Sequence, residues 1–187
     1  MKIIAIPFTL LHVLIFFIIL LVFHPVQWLC LKLGGYSAHK FSVEILNWFL
    51  LKSALPLGII FTFENKQELE SGKSYIIVAN HQSMFDIPPI IWYLRKVHPK
   101  FISKKELGKG IPSVSFNLRH SGAALIDRKD PRQALTEITR FAKAMHQNKR
   151  SAVIFPEGTR SRNGTMKSFS YNGLKVMFKQ MPEAKVL

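Results

Sequence analysis

Little in this sequence could hold a disulfide or a metal. The 187 residues contain one cysteine, Cys30, which excludes an internal disulfide framework and any cysteine-based zinc site. Seven histidines are scattered singly, with no His-x3-His pair and no His-Glu-x-x-His, so no metal site is expected. No Gly-x-Ser-x-Gly elbow occurs, which leaves a serine-nucleophile hydrolase without its turn. Acid is scarce: 11 Asp and Glu stand against 26 Lys and Arg, and a formal net charge of +15 calls for an anionic partner. Glycine and proline number ten each while 48% of residues are hydrophobic, so disordered, collagen-like and low-complexity classes are excluded. The length suits one domain with a real core.

What the chain does have is apolar runs. Between Lys2 and Lys32 lie 29 residues without a formal charge, 23 of them apolar, and Val13 to Phe23 is unbroken. A helix across a hydrocarbon core of about 30 Å needs roughly 20 such residues, so this run is long enough to span. A cleaved signal or a buried core helix are the other readings. No small-x-small cleavage site follows, however; the chain continues His24-Pro25-Val26-Gln27-Trp28. Trp28 and Lys32 suit a membrane edge. A second stretch, Phe41 to Phe63, is interrupted by Glu44, Asn47, Lys52 and Pro56. It reads as an interfacial helix, or as a hairpin partner dipping into one leaflet. Lys32, Lys40 and Lys52 follow the first run and only Lys2 precedes it, which assigns the remainder of the chain to the cytoplasmic side. Residues 1–63 are thus expected to form a membrane-anchoring helical region, and 64–187 a separate domain.

That domain reads as α/β: a mixed, mainly parallel sheet flanked by helices. Tyr75 to Ala79, Ala124 to Ile126 and Ala152 to Phe155 are short apolar strands, each ending in polar or turn-forming residues. Asp130 can cap a helix with Pro131 at its first position and an apolar stripe of Ala134, Leu135, Ile138, Phe141, Ala142 and Met145. Tyr171 to Met181 predicts another helix.

Chemistry-bearing residues gather at the strand ends. Asn80-His81-Gln82-Ser83-Met84-Phe85-Asp86 places a histidine and an aspartate five residues apart. On a continuous helix they would point about 140° apart. A turn at Gln82-Ser83, with a helix starting near Met84, would instead fold the carboxylate onto the imidazole, fixing its tautomer and leaving the other nitrogen as a general base. Read alone, such a pair is more often a structural hydrogen bond or surface pair, and Ser83 reads better as a turn or cap residue. Phe155-Pro156-Glu157-Gly158-Thr159-Arg160-Ser161-Arg162 also follows a strand. Gly158 permits a tight turn, Thr159 and Ser161 supply hydroxyls and Arg160 a planar fork for phosphate oxygens; an ordinary polar turn is the alternative.

Together the two elements say more than either alone. Asn-His-Gln-Ser-x-x-Asp followed by Phe-Pro-Glu-Gly-Thr-Arg-Ser closely resembles the glycerolipid acyltransferase family, and within it the bacterial 1-acyl-sn-glycerol-3-phosphate acyltransferases of the PlsC type. Phe101 to Leu107 is similar to the family's lysine-bearing segment and Gly122 to Arg128 to its Gly-x-x-x-Ile-Asp-Arg block, so the likeness covers roughly residues 75–175. Two departures stand out. Ser170 follows Phe169 where the family often has lysine, and the chain stops at Lys185-Val186-Leu187, where a further strand with a Val-Pro-type motif would begin. On that pattern the catalytic domain, 64–187, is expected to be incomplete.

The resemblance implies a mechanism. His81, oriented by Asp86, would take the proton from a hydroxyl of a lysophospholipid such as lysophosphatidic acid, which attacks the thioester of acyl-CoA or acyl-carrier protein with no other cofactor. Backbone N–H groups at the turn after Asn80 would supply the oxyanion site. Glu157, Gly158, Thr159 and Arg160 would hold the glycerol-phosphate, Glu157 by pairing with Arg160 or bonding a glycerol hydroxyl. Lys104 and Arg128 would add phosphate contacts, with Lys105 and Arg162 next. The expected location is the cell (inner) membrane, with membrane lipids as partners and the catalytic domain facing the cytoplasm. Sibling acyltransferases using glycerol-3-phosphate or another lysolipid share these motifs. A non-catalytic basic membrane-surface or nucleic-acid-binding protein is the reading from another class. Ten Lys and Arg against three acids between Arg95 and Arg132 fit either, but no nucleic-acid motif accompanies them.

Overall fold

The structure is a computed structural model, and it describes residues 2–161 and 164–187. Helix α1, Lys2–Lys52, is broken at Gly35, whose φ of 65° and ψ of −158° define a backbone that only glycine holds without strain. At the preceding Gly34 a Cβ would come within 2.5 Å of the Ala38 side chain. At this glycine pair the chain folds into a hairpin, with one arm over 2–34 and a second over 36–52. The arms pack antiparallel. Leu20 clusters with Leu46 and Leu50, and the Phe23 and Phe49 rings lie 5.7 Å apart. Further along, His12 Nδ1 donates to the Ser53 carbonyl at 2.6 Å. Of the two readings of the Phe41–Phe63 stretch, the hairpin partner is the one the structure builds. The first arm buries only a narrow stripe that includes His12, Leu20 and Gln27, whereas Leu10, Leu14, Phe17 and Leu21 are each more than half exposed. Among the described residues this is the one helix long and apolar enough to cross a membrane.

Five strands follow: β1 Tyr75–Val78, β2 Pro99–Lys104, β3 Ala124–Ile126, β4 Ser151–Ile154 and β5 Lys185–Val186. They lie in the order β3-β2-β4-β1-β5, and all the pairings are parallel, where the sequence allowed a mixed sheet. Parallel strands need covered faces on both sides, which is why β1 and β4 read as unbroken apolar runs. Helices α4 (Pro131–Gln147) and α5 (Tyr171–Gln180) cover one face, packing Phe141, Met145, Leu174 and Met177 on Ile76 and Ile154. On the other face Tyr75, Ile77, Phe101 and Val153 meet Leu94 and Val97, which follow helix α2 (Ile87–Tyr93). The hairpin packs against α2 and against α3 (Val114–His120).

Helix α4 forms for the reasons its sequence states. Asp130 Oδ1 accepts the N–H groups of Arg132 and Gln133, both at 3.0 Å, and Pro131 opens the helix. Ile138, Phe141, Ala142 and Met145 are buried, each large side chain contributing about 1.5–3 kcal/mol. Leu135 departs from the expected stripe and is 45% exposed.

The hairpin turn provides the first test. Gly35→Ala is expected to cost about 1–3 kcal/mol, because a side chain must then hold a glycine-only conformation. Thermal unfolding of the detergent-solubilised protein reads that cost, and an unchanged midpoint would contradict the turn described here.

Candidate active site

β1 and β4 are parallel neighbours, so the loops that leave them rise side by side from one edge of the sheet. In the first loop Ser83 is extended and its hydroxyl accepts the Phe85 N–H at 3.2 Å, starting a short 3-10 turn over Met84–Asp86. That turn carries Asp86 back over the chain. Its Oδ2 accepts the N–H groups of Gln82 and Ser83 and meets His81 Nδ1, each at 2.9 Å. A carboxylate with these partners accepts, so Nδ1 carries a proton, and in the neutral ring Nε2 keeps its lone pair. The turn expected at Gln82-Ser83 is present, and it does what the spacing required.

The second loop steadies the first. The His81 imidazole stacks on Phe155, just after β4, with ring centroids 4.2 Å apart and planes 20° from parallel. Glu157 is buried between the loops: Oε1 accepts the His81 N–H at 2.7 Å and Oε2 the Lys167 N–H at 2.9 Å. These bonds, that from Lys167 first, hold its carboxyl below the ordinary value. Ser161 N–H returns a bond to the His81 carbonyl at 2.8 Å. The partners of Glu157 are therefore backbone N–H groups, not the Arg160 guanidinium expected from the sequence. The oxyanion expectation also needs correction. The N–H groups of His81, Gln82 and Ser83 are already donated to Glu157 and Asp86, so that turn has none of them to offer an oxyanion.

Gly158, Thr159 and Arg160 cap the second loop and are exposed. Gly158 has φ of 69°, which its turn requires, and Lys167 Nζ donates to the Arg160 carbonyl at 3.0 Å. The Arg160 side chain makes no ion pair among the described residues. Lys104 ends β2, level with Ile126 of β3, and Arg128 lies two residues beyond. With strands about 4.8 Å apart, Lys104 leaves a strand one spacing from β4 and Arg128 a strand two spacings away, on the same edge as His81. Burial draws the Arg128 guanidinium down while Glu106 acts the other way. Lys105 is exposed in the 3-10 turn that follows Lys104, and Arg162 lies outside the described residues. Sequence reasoning missed Phe155 and Lys167 as supports. An aromatic directly before Pro-Glu-Gly was the only available signal for the first, and a backbone N–H leaves none for the second.

Comparison with known proteins places this geometry. The family model described as "Acyltransferase" matches residues 60–186, which hold both loops and all five strands. The chain belongs to the acyltransferase family. Among curated acyltransferases, the 1-acyl-sn-glycerol-3-phosphate acyltransferase of Helicobacter pylori is 42% identical over 92 residues, covering 48% of this chain and 36% of that protein. The protein of the same name from Saccharomyces cerevisiae is 33% identical over 135 residues, covering 71% of this chain and 42% of that one. The matches thus span less than half the length of these relatives. The crystal structure of the 1-acyl-sn-glycerophosphate (LPA) acyltransferase PlsC from Thermotoga maritima superposes with a TM-score of 0.75 at 26% identity, over 96% of this chain and 71% of that one.

In an acyltransferase site built this way Glu157 positions the histidine loop. Glu157→Gln leaves one backbone N–H facing an amide N–H, and turnover is expected to fall about tenfold to a hundredfold, as for one charge-assisted bond lost. The KM of the acceptor changes little, since the carboxylate faces the protein. Because its folded-state carboxyl titrates lower than in the unfolded chain, the stabilisation is present above the ordinary carboxylate range and is lost as pH falls through the lowered value. Kinetics with each substrate varied in turn, and unfolding from neutral to acid pH, check both statements.

Proposed function

We propose that the protein transfers a fatty acyl group from an acyl thioester, acyl-CoA or acyl-carrier protein, to the sn-2 hydroxyl of 1-acyl-glycerol-3-phosphate, giving phosphatidic acid. The observation that carries this reading is the His81–Asp86 pair, whose Nδ1 contact leaves Nε2 without a partner among the described residues, beside a glycine turn that presents Arg160. His81 Nε2 takes the proton of the acceptor hydroxyl as its oxygen attacks the thioester carbon. The tetrahedral intermediate collapses, the C–S bond breaks, and the thiolate leaves with the proton from the imidazolium. Asp86 stabilises that imidazolium without taking the proton. Phe155 presents its ring face to the imidazole, which favours the charged form the base passes through.

Arg160 and Lys104 are the cations placed to hold the acceptor's phosphate, with Gly158 and Thr159 shaping the approach and Arg128 extending the basic rim. Donor thioesters carry their own phosphates or acidic surface, which the charge of +15 suits. The apolar hairpin supports attachment to a membrane, and the lysines at 32, 40 and 52 are the sequence support for the cell (inner) membrane with the catalytic domain on the cytoplasmic side. The names of the relatives favour lysophosphatidic acid over other acceptors.

Membranes holding the full-length protein, offered labelled lysolipids and glycerol-3-phosphate with acyl-CoA or acyl-carrier protein, test the assignment. Phosphatidic acid is the expected product, and His81→Ala abolishes it; near-normal turnover in that variant would sink the mechanism. Arg160→Lys keeps the charge and loses the bidentate fork, at about 1.5–3 kcal/mol. Its defect is expected as a raised KM for the phosphorylated acceptor with the donor KM unchanged. Equal effects on both substrates would reduce Arg160 to a loop support.

A further inference from the structure

The loop after β4 closes on itself through three ties. Ser170 N–H donates to the Pro156 carbonyl at 2.8 Å, Lys167 N–H to Glu157 Oε2 at 2.9 Å, and Lys167 Nζ to the Arg160 carbonyl at 3.0 Å. The returning stretch therefore lies alongside the glycine turn, and Lys167 meets it twice. Arg160 is followed by Ser161, whose N–H holds the His81 carbonyl at 2.8 Å, so the turn is bonded directly to the loop that carries the base.

The Lys167 ammonium is placed but not neutralised. Lys40, Arg140 and Lys185 each pair with a carboxylate, whereas Lys167 donates to a main-chain oxygen and makes no ion pair among the described residues. Glu157 feels its charge, yet both Glu157 oxygens are taken by backbone N–H groups. Lys167 is exposed, and the Arg160 carbonyl occupies one of its three donors, leaving two for a ligand. Ordering a lysine costs rotamer freedom, and here the carbonyl imposes that order before a ligand arrives.

What sets this lysine apart from an ordinary solvated one is the residue it is bonded to. Arg160 is exposed and makes no ion pair among the described residues either. Two cations thus start from one residue with no acid between them, and like charges held together call for an anion.

We infer that Lys167 completes the acceptor site by reading the second charge of a phosphomonoester. The inference rests on the acyl-transfer reading and states how that site chooses its acceptor. A phosphomonoester carries about −1.5 to −2 charge at neutral pH and three terminal oxygens; a phosphodiester carries one charge and two such oxygens. The Arg160 fork spans two oxygens. A third oxygen and a second charge need another donor. Lys104 comes from β2, while Lys167 is the cation bonded to the glycine turn itself. A diester has nothing left for Lys167, because its next oxygen carries an alcohol. Acceptors ending in a phosphomonoester are therefore favoured over lysolipids whose phosphate bears a second alcohol. Lysophosphatidic acid and glycerol-3-phosphate share that chemistry.

The test compares acceptors with the full chain in detergent and the acyl thioester that the parent uses. Lys167→Met keeps a long side chain and the backbone N–H, so Glu157 retains its partner and the variant is expected to unfold with the parent. Its KM for lysophosphatidic acid is expected to rise about tenfold, as for one charge-assisted bond lost. The donor KM and the KM for lysophosphatidylglycerol, a diester, stay unchanged. Where the diester is not turned over, its inhibition constant against lysophosphatidic acid replaces the KM. Lys167→Gln is a second neutral variant with the same expected loss, and Lys167→Arg, which keeps the charge, recovers most of it. Glycerol-3-phosphate is run in parallel, and the monoester the parent turns over identifies the acceptor. A loss shared equally by monoester and diester, or by acceptor and donor, reduces Lys167 to a support of the turn and overturns the inference. A parent that acylates none of these acceptors sinks acyl transfer and this inference with it. An active parent that Lys167→Met matches in every KM sinks this inference alone.

Discussion

Two loops that leave adjacent parallel strands have no backbone ladder to hold them together, and here a buried carboxylate supplies the bond. Glu157 spans from the His81 N–H to the Lys167 N–H and so ties the loop after β1 to the long loop after β4. The position of the imidazole depends on that bridge. Asp86 orients the ring through a short local turn, but the turn itself would float without the bridge and the return bond from Ser161. A carboxylate suits the role because it accepts on two oxygens at once, and each bond to an ionised acceptor is worth more than a neutral one. The same acid that would repel a phosphate as a ligand serves as a brace once it faces backbone donors.

Much of this was legible before any coordinates. The apolar runs at 75–79, 124–126 and 152–155 stood out because both faces of a parallel sheet are buried, and the strands formed within a residue of those bounds; the α4 cap stood out because Asp-Pro has one obvious use. The His81–Asp86 geometry followed from the failure of a continuous helix to bring the two together. β2 escaped notice. Its sequence Pro-Lys-Phe-Ile-Ser-Lys carries two lysines, and Lys100 is buried by the hairpin, a long-range partner that no local pattern announces. β5 was legible only through the family likeness, which starts a strand at Lys185: Lys185–Val186 is exposed and is a strand only because β1 offers an edge. In the site, the roles of residue types were readable while their partners were not. A glutamate before Gly-Thr-Arg suggests an ion pair, yet the nearest donors proved to be main-chain.

The hairpin shows how glycine placement decides architecture. A charge-free run of this length reads as one span, and composition alone does not locate a bend. Gly34 and Gly35 locate it, one by a close approach and one by its backbone angles. Once bent, the second arm, with its Glu44, Asn47 and Lys52, can turn polar groups inward. Asn47 Nδ2 bonds the Val43 carbonyl at 2.7 Å and Ser53 Oγ the Leu50 carbonyl, also at 2.7 Å. Of the residues that made this stretch too polar for a confident span, the fold buries Glu44 and Asn47, while Lys52 stays exposed at the end of the arm.

The hairpin also reaches the chemistry. Phe85 belongs to the turn that carries Asp86, and its ring packs on His12 at 5.4 Å and Phe16 at 6.3 Å, both on the first arm. A helix rises 1.5 Å per residue, so the residues ahead of His12 extend about 15 Å past the level of the turn that bears Asp86. There Ile6, Phe8, Leu10 and Leu11 are all exposed, and Met84 of the same turn is 52% exposed. An apolar rod and an apolar turn thus stand beside the edge of the sheet that holds His81. Under the proposed function, an acceptor with one acyl chain in a bilayer and a hydroxyl at its surface would meet that edge without leaving the lipid, with Arg160 and Lys104 toward its phosphate. On that proposed function, anchoring and catalysis become one geometric problem: the apolar arm long enough to cross a membrane is the arm that touches the turn bearing Asp86.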